Sequence, residues 1–161
     1  MEGNKKTKPR AILVFGAPGS GKTTFCKKFS QRFQAPYYNL DTFTEQLDFD
    51  SKQILALIEA VAQTKQNLIL EGGLDTEADR KILRKLFKNS SYESALVWIQ
   101  TDVNTIKSRL KLKLRSTNQA KETYESRVKD MEAPSDYEKP IILSGKHTFE
   151  SQLSQVLSQI A

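Results

Sequence analysis

Gly16-Ala17-Pro18-Gly19-Ser20-Gly21-Lys22-Thr23 satisfies G-x-x-x-x-G-K-[ST] at every specified position. Glycines let the backbone turn tightly enough for successive N–H groups to face one anion. A helix starting at the end of such a loop adds unpaired N–H groups and the positive end of its dipole. Lys22 supplies a mobile cation, and the Thr23 hydroxyl is a ligand type suited to Mg²⁺. This is the chemistry of a polyphosphate cradle, with Lys22 at the β- and γ-phosphates of a nucleoside triphosphate. The expected nucleotide contacts are Gly16, Ala17, Pro18, Gly19, Ser20, Gly21, Lys22, Thr23 and Thr24, and the expected ligands are ATP and Mg²⁺. The alternative is a glycine-rich turn that binds nothing.

The cradle needs a strand behind it and a helix ahead of it. Ala11–Phe15 is an apolar run of strand length, and Phe25, Phe29 and Phe33 recur at helix-face spacing. The sequence predicts a strand over 10–15 and a helix over about 22–33, broken by Gln34-Ala35-Pro36. Tyr37–Leu40 reads as a short second strand with Asp41 at its C-terminal end. Asp48 or Ser51 caps the next helix, whose apolar face is Ile54, Leu55, Leu57, Ile58 and Val61. Leu68-Ile69-Leu70 is a third strand, ending in Glu71-Gly72-Gly73.

Thr76 opens a helix expected to bury Ile82, Leu83, Leu86 and Phe87. A fourth strand spans 95–99, with Trp98 in the core. Asp102 caps a helix that turns Val103, Ile106 and Leu110 inward. From 107 to 115, Leu110, Leu112 and Leu114 alternate with basic residues, which alone reads as strand. Ile106, Leu110 and Leu114 equally make a helix stripe, and the absence of a turn signal after Asp102 favours helix. Residues 116–119 read as a break, 122–131 as another helix stopped by Ala133-Pro134, and 141–143 as a fifth strand. A last helix buries Phe149, Leu153, Val156, Leu157 and Ile160.

Strands alternating with helices imply an α/β fold, with a parallel sheet covered on both faces. Ligands of such sheets bind beyond the carboxyl ends of the strands. Gly16, Asp41, Glu71 and Gly145 all fall there.

The 161 residues suit one domain, with residues 1–9 as a flexible basic tail and 10–161 as the folded unit. Twenty-five basic against 19 acidic residues give a formal charge of +6. That suits a polyanionic ligand and permits nucleic acid without indicating it. No apolar run reaches membrane-span length, so no membrane partner is expected. Without a signal-peptide pattern, and with Cys26 alone, the cytoplasm is the expected compartment. Cys26 is expected to pack rather than react.

With these motifs in place, the chain resembles small P-loop kinases of the "predicted kinase" branch, which includes polynucleotide kinases and zeta-toxin-like kinases. The resemblance rests on the loop, Asp41 after strand two, Glu71 after strand three, Arg80, and the series Arg109, Arg115, Arg127 before Pro134. It implies a three-layer fold with strand order 2-3-1-4-5 and an arginine-rich lid over about 109–134. It also places the adenine edge at Gly145 and Lys146, against Arg109, and makes Asp41 the base for an acceptor hydroxyl.

A carboxylate at Asp41 would independently lie across from the γ-phosphate; a turn aspartate closing a strand is the alternative. Glu71 stands where the family more often has Asp. It could order the Mg²⁺ water shell, touch substrate or be a solvated loop acid, and Asp75 is a weaker candidate for the same work. The expected catalytic set is Lys22, Asp41, Arg109 and Arg115, with Arg109 and Arg115 favoured over Arg127; the expected metal set is Thr23 and Glu71. Arg80 reads either as a substrate contact or as a surface helix residue. His147, the single histidine, reads as a helix-start polar group.

Between Asp41 and Glu71 there is room for one helix and two short loops, and no arginine directly follows Asp41. Both points favour a hydroxyl acceptor, in a small molecule, a nucleoside or a polynucleotide end, over a monophosphate. A nucleotide switch or ATPase acting on nucleic acid or a protein is the alternative, and a nucleoside monophosphate kinase is a further one.

Overall fold

β1 (Arg10–Phe15) is buried from Ala11 onward, as a strand with parallel neighbours on both sides and helices on both faces must be. In this computed structural model, which describes residues 6–160, β1 is central to a five-stranded sheet. The others are β2 (Tyr37–Asn39), β3 (Leu68–Glu71), β4 (Glu93–Gln100) and β5 (Ile141–Ser144). Their order is β2-β3-β1-β4-β5 and every pairing is parallel. Register sets Val14 of β1 and Asn39 of β2 on either side of Glu71.

The helices are α1 (Lys22–Phe33), α2 (Leu40–Leu47), α3 (Ser51–Ala62), α4 (Glu77–Asn89), α5 (Val103–Leu114), α6 (Thr117–Val128) and α7 (Phe149–Ile160). Alternation along each strand divides the core in two. Ala11, Leu13 and Phe15 meet Ile58 of α3 and Leu83 and Phe87 of α4 on one face. Ile12 and Val14 meet Phe25 and Phe29 of α1 and Leu153 and Val156 of α7 on the other. Cys26 is packed within this second face, where burial pushes its thiol well above the ordinary range.

Several expectations are corrected. Two helices, not one, lie between β2 and β3, where the sequence predicts a single helix joining Asp41 to Glu71. α2 begins directly after β2, because the Asn39 side chain accepts the Asp41 N–H and caps the helix from the last strand residue. Asp41 therefore lies in a first helical turn. α3 is capped by Asp50, through a capping box with Gln53, rather than by Asp48 or Ser51. Residues 116–119 do not end helical structure: Ser116 caps α6, which starts at Thr117, five residues before the expected 122. Ile82, Val103 and Leu157 lie on outward faces of their helices. In the expected N-terminal tail, residues 1–5 lie outside the described residues, and the chain before β1 has no regular structure from Lys6 to Pro9.

Candidate active site

The helix start after the glycine loop differs from its neighbours in one respect. Side chains of Asn39, Asp50, Thr76, Asp102 and Ser116 cap α2 to α6, each accepting a backbone N–H. The N-cap of α1 is Gly21, which has no side chain and leaves the first-turn N–H groups without such an acceptor. Gly19 and Gly21 take φ of 80° and 103°, a region that disfavours any side chain. The loop thus presents free donors and no bulk, which fits a phosphate group.

The carbonyls of this loop are tied from behind. Thr101 donates its hydroxyl to the Ser20 carbonyl at 3.0 Å. Arg109 donates to the Gly19 carbonyl at 3.1 Å and to the Gly145 carbonyl at 3.0 Å. Ile106, Leu110 and Ala120 pack with Ala17, seating α5 and α6 against the loop. Arg109 and Gly145 accordingly meet at the groove. Lys146 does not join them: its ammonium pairs with Asp102 at 2.7 Å, at the start of α5. His147 lines the groove beside Thr148 and Phe149.

A groove of about 660 Å³ runs along the loop, past Lys22, Thr23, Thr24 and Arg109, to Asn39, Asp41, Thr42 and Glu45. Lys22 donates to the Gly16 carbonyl at 2.8 Å. Burial lowers its pKa below the ordinary value, with Glu71, Asp41 and Asp75 opposing that shift. Thr23 donates its hydroxyl to both oxygens of Glu71, at 2.7 and 3.0 Å. Glu71 is 1% exposed and also receives the Tyr37 hydroxyl and, at 3.0 Å, the Asn39 amide. It is a buried, ordered carboxylate rather than a solvated loop acid. Burial and the Glu71 charge hold the Tyr37 phenol far above its usual range, so it remains a donor. Thr23 and Glu71 bring hard oxygen donors together beside the loop, a donor set whose chemistry fits Mg²⁺.

Asp41 leans over Gly72, whose φ is 82° and where a Cβ would come within 2.9 Å of both carboxylate oxygens. Arg127 of α6 reaches across the groove to Asp41 Oδ2 at 3.3 Å and to Glu45 Oε1 at 2.5 Å. Asp75 shares a small adjoining recess with Lys22, Asp41 and Arg127. Partial desolvation and the Asp41 charge raise its carboxyl above the ordinary value, with Lys22 and Arg127 opposing.

The lid arginines sort differently from the expectation. Arg109 and Arg127 line the groove and Arg115 does not. Arg115 is the left-handed residue, φ 55°, that closes α5 before Ser116 starts α6, and it is exposed. Arg80 is neither a substrate contact nor a surface residue. It is 0% exposed, pairs with Glu138 at 2.8 Å and donates to the carbonyls of Leu74, Asp75 and Glu132. The signal missed in sequence was Tyr37 and Asn39, two polar-capable residues at period-two spacing on the strand beside Glu71.

A family model described as an AAA domain, AAA_33, matches residues 12–136. The chain belongs to this P-loop, kinase-like family. It is 31% identical over 121 residues to Toxin PezT of Streptococcus pneumoniae serotype 4, a match covering 62% of this chain and 48% of the toxin. The matched part is therefore about half the length of that relative. Among solved structures, a gluconokinase from Sinorhizobium meliloti 1021 superposes with TM-score 0.72 at 13% identity, over 95% of this chain and 92% of that one. The Mycobacterium tuberculosis APS kinase CysC, solved with AMPPNP and APS, superposes with TM-score 0.66 at 14% identity, over 94% and 96%. These likenesses establish the three-layer P-loop kinase fold with the observed strand order.

Proposed function

We propose that this chain is an ATP-dependent phosphotransferase that moves the γ-phosphate to a hydroxyl acceptor. The observation that carries the reading is one groove holding an uncapped helix start and Lys22 at one end and Asp41 across from them. Membership of the kinase-like family and similarity to PezT support it.

In this mechanism the α1 N–H groups and Lys22 hold the β- and γ-phosphates. Thr23 and Glu71 would hold Mg²⁺, which supplies charge neutralisation on the phosphate oxygens. Asp41 orients the acceptor hydroxyl and takes its proton as the oxygen attacks γ-phosphorus. The bond from γ-phosphorus to the bridging oxygen breaks and ADP leaves. Arg109 and Arg127, the guanidinium groups that line the groove, supply positive charge toward the transferring group, Arg127 while still paired with Asp41 and Glu45. Arg109 also meets the adenine edge near Gly145.

The acceptor end of the groove carries Asn39, Asp41, Thr42 and Glu45, with Arg127 already held by two carboxylates. That environment favours a neutral polyhydroxy compound over an anion. The presence of both α2 and α3 removes the argument from a short insertion, so the hydroxyl preference rests on this charge pattern and on the lack of an arginine directly after Asp41.

The test is γ-phosphate transfer from labelled ATP·Mg²⁺ to nucleosides, nucleoside monophosphates, sugars, amino-alcohols and 5′-hydroxyl oligonucleotides. Lys22→Ala and Asp41→Asn are run beside the parent. Labelling of one hydroxyl class, reduced about 10²–10⁴-fold in Asp41→Asn, is the expected result. Labelling of monophosphates overturns the hydroxyl preference. ATP binding with no labelled acceptor, and slow hydrolysis unaffected by Asp41→Asn, moves the assignment to a nucleotide switch.

A further inference from the structure

The two oxygens of Glu71 are unequally occupied. Oε1 accepts from the Tyr37 hydroxyl, from Asn39 Nδ2 at 3.0 Å and from Thr23 Oγ1 at 2.7 Å. Among the described residues, Oε2 receives only the longer Thr23 contact, at 3.0 Å. A carboxylate oxygen has about two in-plane lone pairs, so Oε1 is saturated while Oε2 keeps capacity. Thr23 has a single hydroxyl proton and commits it to Glu71, which leaves its own lone pairs for a cation.

The anchoring donors belong to one strand. Asn39 is the register partner of Glu71, and Tyr37 lies two residues before it on the same side of β2. We propose that Tyr37 and Asn39 are positioning residues for the metal: they clamp Glu71 by Oε1 so that Oε2 and the Thr23 hydroxyl face the Mg²⁺ that accompanies ATP. The inference rests on the reading that the loop binds Mg·ATP. Both side chains act through Glu71, as outer partners that orient a ligand commonly do, where their loss costs roughly 10–100-fold in metal affinity.

The readout is the ratio of affinities for a fluorescent ATP analogue in excess Mg²⁺ and in EDTA, measured without acceptor. Tyr37→Phe keeps the ring and deletes the donor. Asn39→Ser keeps an acceptor for the Asp41 N–H, hence the α2 cap, while removing the amide donor to Glu71 and adding no charge. Thermal unfolding is followed in parallel. The expected result is a parent that binds more tightly with Mg²⁺, and a gain reduced about tenfold or more in each variant. An unchanged gain in both variants overturns the inference, even with a lowered melting temperature, because the contacts would then only stabilise the fold. Should one variant not fold, the ratio in the other decides. A parent that binds the analogue with no gain from Mg²⁺ overturns the metal reading itself, and is distinguished by appearing before any substitution.

Discussion

Replacing Arg80 with Met should destabilise the fold by about 3–5 kcal/mol, the usual effect of removing one partner of a buried ion pair. The guanidinium is 0% exposed, and its carboxylate partner Glu138 is 7% exposed. It makes two contacts to Glu138, at 2.8 and 3.3 Å, and further ones to the carbonyls of Leu74, Asp75 and Glu132 at 2.9, 3.3 and 3.0 Å. It also stacks 5.0 Å from the centre of the Phe15 ring. Met fills the stem volume but supplies no donor. Among the described residues, Glu138 then keeps only the Ser135 N–H and hydroxyl as donors to its carboxylate.

A loss of about 4 kcal/mol is near a thousandfold in the folding equilibrium and a large share of the roughly 5–15 kcal/mol typical of a domain. In a chain of this size it lowers Tm by about 8–16 °C. Urea unfolding can be read from Trp98, the single tryptophan, whose ring lies 6.2 Å from Phe15. The double variant Arg80→Met, Glu138→Met removes the stranded charge and should be more stable than Arg80→Met alone. A loss below about 1 kcal/mol with unchanged m-value, or strictly additive single effects, would refute the reasoning.

The same pair predicts an acid response. Desolvation pushes the Glu138 carboxyl up, but the Arg80 and Ser135 hydrogen bonds outweigh it and hold the pKa below the ordinary 4.5. Its stabilising contribution is therefore complete above about pH 4.5 and is lost as pH falls through the folded value, whereas in Arg80→Met the stranded carboxyl should reverse the sign; urea titrations from pH 3 to 7 on both proteins check this. Gly145→Ala would place a methyl against the Ser20 carbonyl and the Thr101 hydroxyl, so loop backbone must move. Overpacking of about 1–3 kcal/mol is expected, with weaker ATP binding by fluorescence titration, while Gly73→Ala, whose nearest neighbours are side-chain atoms of Leu40, should leave nucleotide affinity intact despite its φ of 65°.

The loop, its strand and its helix were legible because all the information lies within two dozen consecutive residues. That the sheet is parallel and covered on both faces followed from the alternation of strands and helices, whereas its order came from the resemblance to P-loop kinases, since right-handed crossovers narrow the arrangements without choosing one. α2 was missed because Asn39 serves as strand residue and helix cap at once, leaving no gap for a turn signal. The Ser116…Gln119 spacing was a start signal read as a break, and that displaced the lid arginines: with α6 beginning at Thr117, Arg127 reaches Asp41 and Arg115 is left in the turn. Arg80 was illegible in a stronger sense. Its partner Glu138 is 58 positions away, and nothing local distinguishes a buried guanidinium from an exposed one.

The register of β2 against β3 has a consequence for how this site can fail. Tyr37 and Asn39 face Glu71 only because their strand is paired at that offset. A slip by one residue would turn Tyr38 inward and send both donors to the opposite side. Errors in the clamp are therefore quantised: the strand offers the right pair of donors or neither, with no half-ångström drift between the two. Variation in the connection before β2, at residues 34–36, should be tolerated as long as that offset survives, and any change that breaks it should abolish the arrangement in a single step.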